Sequence, residues 1–200
     1  SQKNGGMAGG DSVKLAPDTS SGNAETFGIK KAAFFRPLAE LPDVPVPADN
    51  PITQAKVDLG RLLFFDNRLS GDAGTSCASC HDPRLGWGDG QALSRGYAGT
   101  QHWRNSQTTI NSAFFTKLFW AGEAPSLEAQ AKSAITGNLA GNGDTVMIEE
   151  RLALMPEYVV RFKDAFGVHE PSFDLVLKAI ASFERVEMIS RDSPFDEYLA

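Results

Sequence analysis

Cys77-Ala78-Ser79-Cys80-His81 decides how the rest of the chain is read. Two cysteines separated by two residues, with a histidine directly after the second, form the C-x-x-C-H pattern of c-type haem attachment. Each thiol adds across one vinyl group of the macrocycle, and the adjoining imidazole is held beneath it as the proximal iron ligand. The chain has 2 cysteines in all. A disulfide between them would close too small a loop to restrain the unfolded chain appreciably. A structural zinc site needs a second short-spaced pair, whereas His102 and His169 each stand alone,. A thioredoxin-like dithiol expects a βαβ setting, and no strand pattern precedes Cys77.

Outward from the motif the periodicity is helical. Ile52, Ala55, Leu59, Leu62 and Leu63 recur at three- and four-residue steps and predict a helix over residues 51–66, with Pro51 in its first turn,. Residues 67–75 read as a turn-rich loop delivering the chain to Cys77. Residues 82–99 are glycine-rich without a helical period, as suits a loop lying over a flat macrocycle or any long surface loop,. Further helices are predicted over 104–113, 126–135, 145–155, 156–166 and 172–189, with Thr145 and Ser172 as N-caps,. In the last, Phe173, Val176, Leu177, Ile180 and Phe183 make an apolar stripe opposite Lys178, Glu184 and Arg185,. Nothing alternates with period two. The fold class is therefore all-α: a cytochrome c-like haem domain with long loops over residues 34–200, preceded by a disordered, flexible tail over 1–33 rich in Gly, Ser and Asn,. Pro37, Pro42, Pro45, Pro47 and Pro51 forbid helix between them and predict an extended strap on the domain surface,.

The charge excludes some partners. The net charge is −6, and residues 141–200 hold twelve acids against six bases, so the surplus lies in that last segment. Phosphate backbones are bound by clustered Lys and Arg, so no nucleic acid is expected as a partner. A basic redox partner suits this balance, and so do ordinary solvated helix faces. No apolar run approaches the roughly 18 to 20 residues of a transmembrane segment. Haem c is attached outside the cytoplasm, so a periplasmic or otherwise exported location is expected.

The segment from Leu59 to Leu199 resembles the N-terminal haem domain of bacterial di-haem cytochrome c peroxidases and the related MauG-type enzymes. The resemblance is carried by Leu59-Gly60-Arg61-Leu62-Leu63-Phe64-Phe65-Asp66, the haem motif with Asp82-Pro83, Gly88-Asp89-Gly90 and Leu93-Ser94. It continues through Arg104-Asn105, Asn111, Phe119-Trp120, Ser126-Leu127-Glu128 with Gln130-Ala131, and Ser193-Pro194-Phe195-Asp196. It implies a periplasmic oxidoreductase that reduces hydrogen peroxide with electrons from a small donor such as a cytochrome c or cupredoxin, or that oxidises a protein substrate as MauG does. It also implies two haems, one covalent haem c in this chain and a second in a C-terminal domain absent from it, with truncation the favoured explanation. Among site residues it implies His81 as proximal ligand and Trp120 as the tryptophan between the haems, whose alternative role is core packing. Gln130 matches the distal glutamine, and Asn105 the asparagine of a possible interdomain calcium site, which alone cannot supply the six to eight oxygens calcium takes.

Two departures stand against that pattern. Tyr97 occupies the place of the distal histidine, where it is either a phenolate ligand or turned away to leave the iron open, and His102 is a second candidate ligand. Ala140 stands ten residues after Gln130, at the distal glutamate that moves the proton during O–O cleavage,. Asp144 and Glu149 are the nearest acidic replacements. The competing class is an electron carrier whose sixth position is closed by Tyr97, His102, Met147, Met155 or Met188, although the methionines fall in apolar helical patterns that suit a core. His169 reads as a surface residue with no role.

Overall fold

Two helices, α1 (Gln54–Phe65) and α5 (Phe173–Glu187), cross closely enough that their contact needs a glycine. The structure, a computed structural model, describes residues 38–199; the expected tail and the start of the domain at 34 lie outside the described residues. At the crossing a Cβ on Gly60 would stand 2.0 Å from the Ala179 carbonyl oxygen and 2.9 Å from the Phe183 Cβ. Around this point Leu59, Leu63 and Phe64 of α1 meet Val176, Ile180 and Phe183 of α5, all buried. Each large side chain removed from water in this way contributes roughly 1.5–3 kcal/mol.

The other helices pack on this pair. Among the described residues α2 is Leu127–Thr136, α3 Thr145–Ala153, α4 Pro156–Phe166 and α6 Pro194–Leu199; no strands occur, only isolated bridges at Asp82 with Gly88, Arg95 with Gln101 and Leu118 with Ala124. The domain is all-α with long loops, as the periodicity predicts. α3 contributes Ile148 and Leu152 to the core, α4 contributes Tyr158 and Phe162, and α2 lays Leu127, Ala131 and Ile135 inward.

Helix boundaries differ from expectation where side-chain oxygens compete for the first N–H groups. α1 begins after Thr53, whose hydroxyl accepts from Lys56 N at 3.3 Å, so Pro51 precedes the helix. Asp144, not Thr145, caps α3 by accepting from Met147 N at 2.9 Å. Residues 104–113 form no α-helix. There Asn111 adopts φ of 60° and is tied to the distant Ser190, its backbone N–H donating to Met188 O and its Oδ1 accepting from Ser190 N at 2.9 Å. α6 was not expected, yet Ser193 and Asp196 form a reciprocal cap with Pro194 in the first turn,.

A buried polar network fixes the approach to α1. Asn50 Nδ2 donates to Glu128 Oε1 and to the Lys178 carbonyl, both at 3.0 Å, while its Oδ1 accepts from Lys56 Nζ at 3.2 Å. Arg185 grips Glu128 with two bonds, at 2.7 and 3.0 Å. The segment before α1, and helices α1, α2 and α5, thus share one set of bonds. Burial works to raise the Glu128 carboxyl, but the hydrogen bonds from Arg185 and Asn50 outweigh it and hold it below its ordinary value. Its contribution to stability is therefore present above the unfolded-state value of about 4.3 and is lost as pH falls through the lower folded value.

Two predictions follow from this packing. Gly60→Ala forces a methyl group into the Ala179 carbonyl and should cost about 3 kcal/mol, the upper end for overpacking, read as a lowered urea midpoint. Glu128→Gln leaves the Arg185 charge buried without its partner and should cost about 3 kcal/mol at neutral pH. In acid titrations of stability the same variant should lose the part of the fall that begins near pH 4, because the group that titrates there is gone,.

Candidate functional site

A single 3-10 turn, Cys77–Ser79, sets out the motif side chains. Cys80 N donates to Cys77 O at 3.1 Å and His81 N donates to the same oxygen at 3.0 Å, so positions 77, 80 and 81 gather on one side of the turn,. Ser79 Oγ accepts from Ser76 N at 3.0 Å and closes the turn from its start. Both thiols are free and half-buried. Burial pushes the Cys77 thiol up to about 12, with the nearby Glu184 carboxyl adding to the effect. Cys80 Sγ faces the Arg95 carbonyl at 3.7 Å.

His81 is held by its own downstream loop. Its Nδ1 lies 3.0 Å from the Trp87 carbonyl oxygen, which can only accept, so in the neutral ring that nitrogen carries the proton and Nε2 is the unprotonated one,. Trp87 reaches this position with φ of 60°, a left-handed conformation that costs a bulky residue free energy,. What holds it there is packing: its ring meets Phe64, Phe65 and Phe183 at centroid distances of 5.9, 6.4 and 6.3 Å. Those distances and tilts suit edge-to-face aromatic contacts. Burial lowers the His81 value, against the Trp87 and Gln107 carbonyls and the Asp89 charge, so the imidazole is neutral at neutral pH. Arg84 bonds to Asp82, pulling that carboxyl to about 2, and the Asp82 side chain caps the short turn Pro83–Leu85.

The other predicted residues fall into separate groups. Tyr97 N–H donates to the Leu139 carbonyl at 3.0 Å, which brings it beside the 139–142 loop that carries Ala140. Its hydroxyl rests against Gly71, 3.0 Å from where a Cβ on that glycine would lie. His102 follows the isolated bridge between Arg95 and Gln101: its N–H donates to Ser94 O at 2.8 Å, its Nδ1 accepts from Arg104 N at 3.2 Å, and its ring stacks on the exposed Trp103. Trp120 stands 58% exposed on the tight turn between Leu118 and Ala124. Its Nε1 donates to the Asn105 carbonyl at 3.0 Å, and Asn105 Nδ2 in turn donates to Gln91 O at 2.5 Å. Gln130 is half-buried on α2, which Ser126 caps by accepting from Ala129 N at 3.1 Å.

The two acidic candidates near Ala140 have structural duties. Asp144 caps α3, and Glu149 Oε1 accepts from Phe173 N at 2.6 Å, capping α5 across the core. Met188 is buried in the core, Met155 packs against it, and Met147 is exposed. A cavity of about 680 Å³ lies between α1 and α4, lined by Leu62, Phe65, Asp66, Arg68, Met155 and Tyr158 among others; it does not include the motif side chains. Among the described residues no group of three or more His, Cys, Asp or Glu side chains is placed to hold a metal ion. Trp87 and Glu184 were missed as site residues; the flanking glycines of Gly86-Trp87-Gly88 were the available sign that this tryptophan occupies a special turn.

Similarity to known proteins covers most of this architecture. Residues 54–200 match the family model for di-haem cytochrome c peroxidase. The chain is 57% identical over 169 residues to the cytochrome-c peroxidase IdrP1 of Denitromonas iodatirespirans, covering 84% of this chain and 45% of that protein. It is 39% identical over 184 residues to the methylamine utilization protein MauG of Methylorubrum extorquens, covering 92% and 51%. A solved MauG-like protein associated with microbial copper homeostasis superposes with a TM-score of 0.73 at 35% identity, covering 80% of this chain and 48% of that one. The chain spans about half the length of the relatives it matches. With the fold, the haem-motif turn and the sequence matches in agreement, the chain belongs to the di-haem cytochrome c peroxidase family, whose cofactor is haem c and whose members are oxidoreductases.

Proposed function

We propose that this chain is the peroxide-reacting half of an exported c-type haem peroxidase. Cys77 and Cys80 carry the haem by thioether bonds, and His81 is its proximal ligand. The observation that carries the reading is the His81 geometry: a neutral imidazole with Nδ1–H bound to the Trp87 carbonyl and two free thiols on the same turn. This donor set fits a haem c, which when bound supplies the redox chemistry of its iron.

The chain's own residues supply orientation and access. The Trp87 carbonyl, held by the aromatic cluster, keeps the proton on Nδ1 and raises the basicity of Nε2,. Gln130 on α2 positions hydrogen peroxide by hydrogen bonding. Trp120, its ring fixed by the Asn105 carbonyl, carries electrons from a second haem domain, and its exposure leaves it open to contact with one. Asn105 Oδ1 offers one oxygen to a calcium ion whose other ligands come from that second domain. The donor is a small redox protein, a cytochrome c or cupredoxin; a protein side chain oxidised in the MauG manner is the other possible source of electrons. The location is periplasmic; no helix of the described residues is long and apolar enough to cross a membrane.

Ala140 supports a second reading. Asp144 and Glu149, the two acids expected to replace the distal glutamate, are engaged as helix caps and so are not free to move the peroxide proton, as suits a domain that only transfers electrons,. Tyr97, beside the Ala140 loop, is a candidate for a distal role, as sixth ligand or hydrogen-bonding group.

The test is peroxide consumption by the haem-loaded protein supplied with a reduced cytochrome c. Turnover is expected, with Gln130→Ala slowing it by about 10²-fold, the lower end for a positioned hydrogen-bonding group. His81→Gly should abolish it and restore part of it when imidazole is added. A haem that stays six-coordinate and unmoved by peroxide in both oxidation states would overturn the peroxidase reading in favour of the electron carrier.

A further inference from the structure

Helix α5 carries a polar group that neither the core nor the proposed site uses. Glu184 is 4% exposed, and its Oε2 is enclosed without a hydrogen-bond partner among the described residues. The next residue, Arg185, gives its guanidinium to Glu128. Cys77 packs against the core that α5 helps to build, and the Glu184 charge reaches its thiol. The other packed elements offer it no counter-charge. On α1, Arg61 is paired with Glu187 and Lys56 with the Asn50 oxygen; on α2, Glu128 is of like sign; on α3, Glu149 caps Phe173. The turn Ser112–Phe114, packed on α5, brings Ser112, whose Oγ is also enclosed and unpartnered. Burial, opposed by Arg185 and reinforced by Glu128, pushes the Glu184 carboxyl up to about 8.

A buried carboxyl without a partner is a cost in stability. A leucine would fill the space without it. What the acid adds is a proton that can be held or released beside Cys77. We infer that Glu184 is the site at which a proton is taken up when the cofactor attached at Cys77 gains an electron. The inference rests on the attachment proposed above. In the balanced step the redox donor gives one electron to the haem, solvent gives one proton to the Glu184 carboxylate, and the neutral acid results. Reoxidation returns both. The net charge of the buried region is unchanged, which lowers the cost of placing an electron there. By linkage, the proton raises the midpoint potential as the electron raises proton affinity.

The experiment is a spectroelectrochemical titration of the haem-loaded chain from about pH 6 to about pH 10, a range that brackets the Glu184 value,. In the unsubstituted protein the midpoint should fall by up to about 59 mV per pH unit, a tenfold change in a one-electron equilibrium. Glu184→Gln should flatten that dependence. The reduced-minus-oxidised infrared spectrum should gain a protonated carboxyl band that Glu184→Gln lacks. A slope that survives Glu184→Gln, or a haem-bearing protein with no such band, would overturn the inference, the second of these even where the variant fails to fold. A chain with no covalent haem spectrum would instead overturn the attachment reading itself.

Discussion

The close crossing of α1 and α5 at Gly60 is the constraint on which the site depends. It brings Phe64 and Phe183 together at 5.4 Å, and these two rings, with Phe65, hold Trp87. Trp87 in turn fixes the carbonyl that His81 leans on. His81 is thus oriented by the core through one strained residue, whose left-handed backbone the packing sustains,. A loop histidine supported only by solvent would sample several tautomers and orientations. This one has a defined protonated nitrogen, Nδ1.

A second link runs from the polar network to helix α2. Glu128 sits two residues before Gln130 on α2, and its bonds to Arg185 and Asn50 seat that helix against α5. Packing of Leu127 and Ala181 completes the contact. The same helix α5 therefore anchors the aromatic cluster behind His81 and the helix that presents Gln130. Rigid helices place a reacting geometry more reproducibly than loops do. Trp120, by contrast, sits on a turn at the surface, where one bond to Asn105 orients its ring.

The haem motif, the all-α class and the apolar stripe of α5 were legible because each depends on local spacing. C-x-x-C-H works through one turn, and Val176, Ile180 and Phe183 share a face by helical period alone,. The absence of a helix over 104–113 was not legible, because Asn111 is committed to Ser190, a bond between residues 79 apart in sequence. The cap of α5 by Glu149 is equally non-local, at a separation of 24. Local periodicity also places Glu184 and Arg185 on the wet side of their helix, yet both are buried, since α5 is covered by α1, α2, α3 and the Ser112–Phe114 turn. The role of Trp87 depends on a backbone carbonyl, and side-chain type says little about where a carbonyl points.

The account stands on the 77–81 turn as the place of haem attachment. The most direct measurement is the mass of the proteolytic peptide that contains Cys77 and Cys80, taken from protein produced in a host that attaches haem c. The account predicts that this peptide is heavier by one haem and that neither cysteine accepts an alkylating reagent after unfolding. A peptide of unmodified mass, with both thiols alkylated, would contradict it.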